Sequence, residues 1–279
     1  MKRASMTRVA KPKIYSPAKP LQGFGVDHLR TFLDTKVKLY NQPAFIEKDP
    51  VCIPHRFTKK QDIEIAGLFA AILAWGNRTT IINNARKLMF WMDDQPHDFI
   101  LNHKDTDLKP FVHFAHRTFN ATDLLYFISF LQFHYRQHES LEAAFVPGKN
   151  YKEETVEQAL IHFHNYFFSI EHPERTKKHI STPARGSACK RINMYLRWMV
   201  RRDNQGVDFG IWKKINPAQL ICPLDVHVAR VAERLGLLDN IRSNWANARQ
   251  LTARLKILNP KDPAVYDYAL FGLGMAERF

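Results

Sequence analysis

The sequence has few cysteines and no long hydrophobic run, and both absences exclude classes of protein. Its three cysteines, Cys52, Cys189 and Cys222, are too few and too scattered for a disulfide framework, a four-cysteine zinc site or an iron–sulfur cluster. No apolar run approaches the roughly 18 residues of a membrane span, and the N-terminus lacks the apolar region of a signal peptide. We therefore expect no membrane partner and a cytoplasmic protein.

Acidic residues are scarce relative to basic ones. The 279 residues include 41 Lys and Arg against 27 Asp and Glu, which gives a formal net charge of +14. Such an excess of positive charge favours a polyanionic partner. With 45% hydrophobic and 12% aromatic residues the chain can fill a core, which excludes intrinsic disorder for most of its length.

Residues 1–24 carry six basic residues and no acidic residue, and three prolines interrupt them. This composition predicts a flexible basic arm that adds non-specific attraction to phosphates, although an ordinary disordered terminus can have the same composition. Of the formal +14, the rest of the chain keeps +8 without these six charges. The positive charge is therefore mainly a property of residues 25–279, which we expect to form one domain.

Apolar residues recur at helical spacing through most of this domain. The pattern predicts helices over 27–41, 122–133, 154–170, 190–200, 226–235, 246–258 and 263–275. The run 63–73 is apolar on all sides and predicts a central buried helix, opened by a capping box at Thr58-Lys-Lys-Gln61. A further helix is expected to restart at Thr79 or Thr80. We find no alternating strand and no repeat, so the predicted fold class is all-α.

Several histidines and one cysteine have a spacing or a setting that metal or thiol sites also show. His134 and His138, with Glu142 one turn further, could offer a metal three ligands, but 13 histidines make such a spacing expected by chance. We interpret them as a hydrogen-bonding or solvated face, and His113 and His116 likewise. Cys189 is better explained as a small buried hydrophobe than as a reactive thiol. The sequence predicts no metal and no cofactor.

The stretch from about residue 182 to 238 is the most informative. A Pro- and Gly-bearing hairpin that includes Gly186 runs directly into the helix that starts at Lys190, and such a helix start favours anions. Asp225 precedes the helix 226–235 as its N-cap. Without further information, Asp225 is an ordinary N-cap, and Lys190 is a phosphate contact or a solvated charge.

Four segments resemble the helix-hairpin-helix DNA glycosylase superfamily, the group of endonuclease III and the 8-oxoguanine glycosylases. They are Gly186-Ser-Ala-Cys-Lys190, Pro223-Leu-Asp225-Val-His227-Val-Ala-Arg230, the junction Trp75-Gly76-Asn77-Arg78 and the terminal run Tyr266-Asp-Tyr-Ala-Leu-Phe-Gly-Leu-Gly274. The resemblance covers roughly residues 60–275, and the whole chain also resembles a bacterial family of unsettled activity that is placed near these glycosylases. The sequence departs from the superfamily at Arg185 and Ala188 in the hairpin and by an insertion around 202–219. It also lacks the cysteine cluster that follows the terminal helix in endonuclease III, so no iron–sulfur cluster is implied.

The resemblance implies a two-lobed helix-hairpin-helix fold and a base-excision DNA repair glycosylase, with accompanying abasic-site lyase activity if the enzyme is bifunctional. Asp225 would stabilise positive charge on the sugar, and Lys190 would attack the sugar as a neutral amine, favoured by the nearby Arg185 and Arg191. The target base would be flipped out of the duplex, and its gap would be filled by Asn77. The DNA-binding residues implied are Arg185, Gly186, Arg191, Arg197, Asn77 and Arg78.

Two other functions remain open at the level of sequence. One is a non-catalytic DNA- or RNA-binding protein that keeps the same fold, and the other is a helical partner-binding protein with an incidental basic surface. We expect the protein to be a monomer, associated with the nucleoid and with damaged duplex DNA as its partner.

Overall fold

The computed structural model describes residues 25–146, 148, 151–277 and 279. The predicted basic arm, residues 1–24, lies outside the described residues. The protein is 63% helix and 2% strand, which confirms the all-α prediction. No helix among the described residues is long and apolar enough to cross a membrane.

Twelve α-helices follow one another through the described residues. They are α1 (Val26–Tyr40), α2 (Pro43–Ile46), α3 (Lys60–Leu73), α4 (Arg78–Trp91), α5 (Pro96–Asn102), α6 (Ala121–Tyr135), α7 (Glu142–Phe145), α8 (Glu157–Phe167), α9 (Lys190–Val200), α10 (Val226–Arg234), α11 (Trp245–Leu258) and α12 (Tyr266–Met275). Short 3₁₀ turns connect several of them, at Pro50–Cys52, Pro54–Arg56, Asp105–His113, Glu174–His179, Pro183–Arg185, Pro217–Gln219 and Pro263–Val265.

Helix α3 is the central helix that its composition predicts. Every residue from Asp62 to Leu73 is buried, and the helix packs against α4, α5 and α9. Gly67 lets α9 approach closely, because a Cβ there would lie 2.9 Å from the side chain of Met199 and 3.2 Å from that of Tyr195. The predicted capping box is wrong: the N-cap is Lys59 without a side-chain bond, and the Gln61 amide donates instead to the Glu139 carbonyl.

One small strand pair was not predicted. Strands β1 (Ala115–His116) and β2 (Phe119–Asn120) form an antiparallel hairpin whose loop holds Arg117 at a positive φ of 56°. Two residues per strand are too few for an alternating pattern to be visible in the sequence. His116 anchors the β1–β2 hairpin, because its ring nitrogens lie 2.9 Å from the Asn84 amide nitrogen and 3.3 Å from the Trp75 carbonyl oxygen.

The helices of the C-terminal half bring distant parts of the sequence together. Helix α12 packs against α1 and α10, and α9 packs against α3. Between α9 and α10 the chain runs from 201 to 225 without an α-helix, which is where the sequence predicts an insertion. This segment returns the chain so that the N-termini of α9 and α10 lie side by side.

Candidate active site

A cavity of about 890 Å³ opens where the first turns of α4, α9 and α10 meet α12. Its lining combines aromatic and aliphatic side chains with charged ones of both signs. The lining includes Phe45, Asp49, Trp75, Gly76, Asn77, Arg78, Thr118, Lys178, His179, Lys190, Arg191, Met194, Arg197, Asp225, His227, Asp267, Phe271 and Met275.

Lys190 and Asp225 meet on the wall of this cavity. The Lys190 Nζ lies 3.5 Å from the Asp225 Oδ2, with the side chains 28% and 22% exposed. The other oxygen, Asp225 Oδ1, accepts hydrogen bonds from the His227 and Val228 backbone N–H groups, both at 2.9 Å. Asp225 is therefore an N-cap, as its position predicts, and the same carboxylate also presents an oxygen to a lysine.

The 183–189 hairpin places Lys190 at the first turn of α9 through two left-handed residues. Gly186 has φ 74° and caps the 3₁₀ turn Pro183–Arg185, and Cys189 has φ 50° and is the N-cap of α9. The Gly186 carbonyl accepts from the Trp245 N–H at 2.9 Å, which ties the hairpin to the start of α11. The hairpin begins with the 3₁₀ turn Pro183–Arg185, and the 3₁₀ turn Glu174–His179 separates it from α8, which ends at Phe167. Burial raises the pKa of Cys189 to about 11, as expected of a buried hydrophobe.

Two further carboxylates line the cavity, and sequence analysis did not identify them. Asp267 is buried on α12 and pairs with Arg197, and burial raises its pKa to about 6. Asp49 caps the 3₁₀ turn Pro50–Cys52, where its side chain accepts from the Val51 N–H at 3.0 Å. Two features of the sequence could have indicated these carboxylates. One is the Asp-Pro pair at 49–50, and the other is the single aspartate in the otherwise apolar terminal helix.

Arg197 is not placed to contact DNA. It is only 3% exposed, and its guanidinium pairs with Asp267 and, at 3.4 Å, with Asp208. The prediction of a DNA contact is corrected here, because a side chain so enclosed and so paired cannot reach a phosphate on the surface. Arg197 instead holds the Asp267 carboxylate in the cavity.

Arg191 is largely committed to backbone groups. Its Nη1 donates to the Ile72 carbonyl at 2.6 Å and its Nη2 to the His179 carbonyl at 3.3 Å, and burial lowers its pKa to about 10. These bonds tie the start of α9 to the end of α3. The sequence predicts cationic surroundings for Lys190. In the structure its amine also faces a negative charge, the Asp225 carboxylate, which offsets the effect of the nearby arginines.

Residues 49–276 match one family model, which carries the description "Protein of unknown function (DUF2400)". The match covers well over half of the chain. The chain belongs to the DUF2400 family. No curated protein and no solved structure matches it. Asp49, Lys190, Asp225 and Asp267 all lie within the segment that this DUF2400 chain shares with its family.

The junction 75–78 forms another part of the cavity lining in this DUF2400 chain. Asn77 is exposed and caps α4, because its side-chain oxygen accepts from the Thr80 N–H at 3.1 Å, so the helix begins before the predicted Thr79. The Arg78 guanidinium lies 5.6 Å from the Phe271 ring. The Arg117 guanidinium stacks 4.2 Å from the exposed Trp75 ring and joins the junction to the β1–β2 hairpin. The DNA roles of Asn77, Arg78, Arg185 and Gly186 remain predictions.

The histidine cluster is a hydrogen-bonding one. The His134 ring nitrogens lie 3.1 Å from the Tyr166 hydroxyl and 3.0 Å from the Ser140 carbonyl oxygen, and Glu142 accepts from the Lys214 N–H at 2.6 Å. Both ring nitrogens of His134 are thereby occupied, which agrees with the hydrogen-bonding interpretation made from the sequence.

Proposed function

We propose that this protein is a DNA glycosylase that flips a damaged base out of duplex DNA and excises it, with an abasic-site lyase step through Lys190. The observation that carries the proposal is the approach of Lys190 to Asp225, 3.5 Å apart on the wall of a cavity of about 890 Å³. The formal charge of +14 supports a polyanionic substrate.

The size and lining of the cavity support an extruded nucleotide as its occupant. Pockets for small ligands occupy about 300–1,000 Å³, and a flipped base is held by stacking and by a few polar groups. Phe45, Met194 and Phe271 supply apolar surface here, and the carboxylates and cations supply the polar groups. A base that stays stacked in the duplex could not reach Lys190 or Asp225.

Asp225 is suited to stabilise positive charge on the sugar. As the bond between C1′ and the base breaks, positive charge develops on the sugar, and a fixed carboxylate nearby lowers the energy of that state. The two N–H donors at the start of α10 hold the Asp225 carboxylate in one orientation and stabilise its negative charge. No reorganisation of the carboxylate is then needed during the reaction.

Lys190, 3.5 Å from the Asp225 carboxylate, is suited to attack C1′ once its ammonium has lost a proton to solvent, which leaves that carboxylate ionised. The amine nitrogen forms a bond to C1′ as the base leaves with the electron pair of the glycosidic bond. The bond between C1′ and the ring oxygen then opens, the oxygen takes a proton, and a Schiff base remains. Borohydride reduces such a Schiff base to a stable covalent link.

The test is borohydride trapping, with a panel of duplexes that each carry one damaged base and one duplex with an abasic site. We expect covalent protein–DNA product with the wild type and none with Lys190→Gln. Lys178→Gln is the matched control, because Lys178 is an exposed lysine that also lines the cavity, and trapping should persist. Salt-sensitive duplex binding without excision or trapping would instead indicate a non-catalytic binding protein, and no duplex affinity would refute both.

A further inference from the structure

The three cavity carboxylates, Asp49, Asp225 and Asp267, have different partners. Asp225 lies beside the Lys190 ammonium and accepts two backbone N–H bonds, and Asp267 pairs with Arg197. Asp49 forms no ion pair with any described residue, and its hydrogen bond comes from a single backbone N–H, that of Val51. It is also only 7% exposed. Asp49 is therefore the most weakly compensated of the three negative charges.

A buried carboxyl with so little compensation favours its protonated form. Burial raises the pKa of Asp49, and this effect exceeds the opposing effects of the Val51 N–H and of nearby cations. The charged groups that act on Asp49 are Arg197 and Lys190 of α9 and Arg78 of α4, while the thiol of Cys52 lies on its own turn. Asp225, in contrast, lies 3.5 Å from the Lys190 Nζ and accepts two backbone N–H bonds.

Two carboxyl groups in one cavity with such different partners can divide the work of breaking a glycosidic bond. One stays ionised and stabilises the positive sugar, and the other donates a proton to the leaving group. A base leaves more readily when it is protonated, because the departing nitrogen would otherwise carry a negative charge. In this cavity the ionised role suits Asp225.

We propose that Asp49 is the general acid that protonates the departing base, an assignment that rests on the proposed glycosylase function. The bond between C1′ and the base nitrogen breaks, its electron pair goes to the base, and the Asp49 carboxyl proton goes to a nitrogen or oxygen of the base. C1′ then bonds to a water oxygen or to the Lys190 nitrogen, and the nucleophile releases one proton to solvent. A proton taken up from solvent restores the Asp49 carboxyl.

Asp267 does not suit this role. Its carboxylate is already paired with the Arg197 guanidinium, so donation of a proton would require that pair to form and break in each turnover. Asp49 needs no such rearrangement. It also precedes residue 60, outside the segments whose resemblance implied the roles of Lys190 and Asp225.

The experiment is single-turnover excision, across a pH series, from duplexes that carry one neutral damaged base: 8-oxoguanine, uracil, hypoxanthine or thymine glycol. The wild-type rate should fall as pH rises and Asp49 loses its proton. Asp49→Asn should lower the rate by about 100-fold or more and remove this pH dependence, since an amide does not titrate. Asn still accepts the Val51 N–H, so duplex affinity and thermal midpoint should change little.

Asp62→Asn is the matched control. Asp62 is a similarly buried carboxyl that accepts one backbone N–H, from His97 at 2.8 Å, and it does not line the cavity. Its rate and pH profile should match the wild type. Asp49→Ser retains a hydroxyl acceptor and replaces Asp49→Asn if the latter is unstable.

An excision rate for Asp49→Asn within about threefold of the wild type, or a retained wild-type pH profile, would overturn the role of Asp49 and leave the glycosylase function standing. A wild type that excises none of the four bases would refute the proposed function, and the assignment of Asp49 with it. The two failures are thus distinguishable.

Discussion

The substitution Asp225→Asn separates the structural and chemical contributions of one side chain. Asn caps helices about as well as Asp, so the bonds from the His227 and Val228 N–H groups should survive. The contact with Lys190 is lost, but both side chains are partly exposed, and such pairs contribute only about 0.2–1 kcal/mol. In a chain of this size that corresponds to a fall in thermal midpoint of no more than about 4 °C.

The effect on rate should be much larger than the effect on stability. Removing one group that stabilises developing charge in a water-excluded site typically costs about 100- to 1,000-fold in rate, or about 2.7–4 kcal/mol. The assay is single-turnover excision on the panel duplex that the wild type cleaves fastest, alongside a thermal melt of the same preparations.

Asp225→Ala supplies the comparison, because it removes both the charge and the cap. It should lose about 1 kcal/mol of stability beyond Asp225→Asn while being equally slow. If Asp225→Asn excises at the wild-type rate, the carboxylate acts as a cap alone and the glycosylase reasoning fails.

Four other outcomes are expected. Lys190→Gln should abolish borohydride trapping while duplex affinity, measured by fluorescence anisotropy, falls only a few-fold, because one cation among many contributes a fraction of the phosphate attraction. Deleting residues 1–22 should weaken duplex binding and flatten its salt dependence with trapping intact, and an unchanged slope would show that the arm does not contact DNA. Arg197→Met should lower the free energy of unfolding in guanidinium chloride by about 3–5 kcal/mol, because it leaves the buried Asp267 carboxylate without its ion-pair partner. The exposed Arg185→Ala, in contrast, should change stability by less than about 0.5 kcal/mol and reduce the salt slope of binding by about one. Burial lowers the pKa of His134 from 6.5 to about 4, so the unfolded chain binds this proton where the folded protein does not. Stability should therefore fall by up to about 3 kcal/mol as pH falls from about 6.5 to about 4, and His134→Gln should flatten that part of the curve.

The regular helices were predictable because apolar residues recur at helical spacing along the face that each helix buries. Helix α9 begins and ends as predicted, at residues 190 and 200, and the all-round apolar character of 63–73 identifies α3 as central. The predicted helix 263–275 begins instead as a 3₁₀ turn, and α12 starts at Tyr266. The capping box at Thr58 failed because Gln61 found a tertiary partner, the Glu139 carbonyl, which no local pattern encodes.

The candidate site was predictable only in part. The resemblance implied that Lys190 and Asp225 act together, and the fold brings them within 3.5 Å. Asp49 and Asp267 were missed because their burial depends on packing between segments far apart in the chain. Arg197 was misplaced for the same reason: its position at the side of a basic helix indicated a DNA contact, but its acidic partners come from α12 and from the segment after α9.

The ion pairs of the cavity also affect which part of a nucleotide can face its wall. A protein with a formal charge of +14 attracts the phosphate backbone at long range, but Lys190 and Arg197 already face the carboxylates of Asp225 and Asp267. Carboxylates repel phosphates, so a phosphate binds less readily at these two cations than at an unpaired surface cation. The pairing therefore favours a nucleotide whose phosphates stay at the surface while its sugar and base face Lys190 and Asp225.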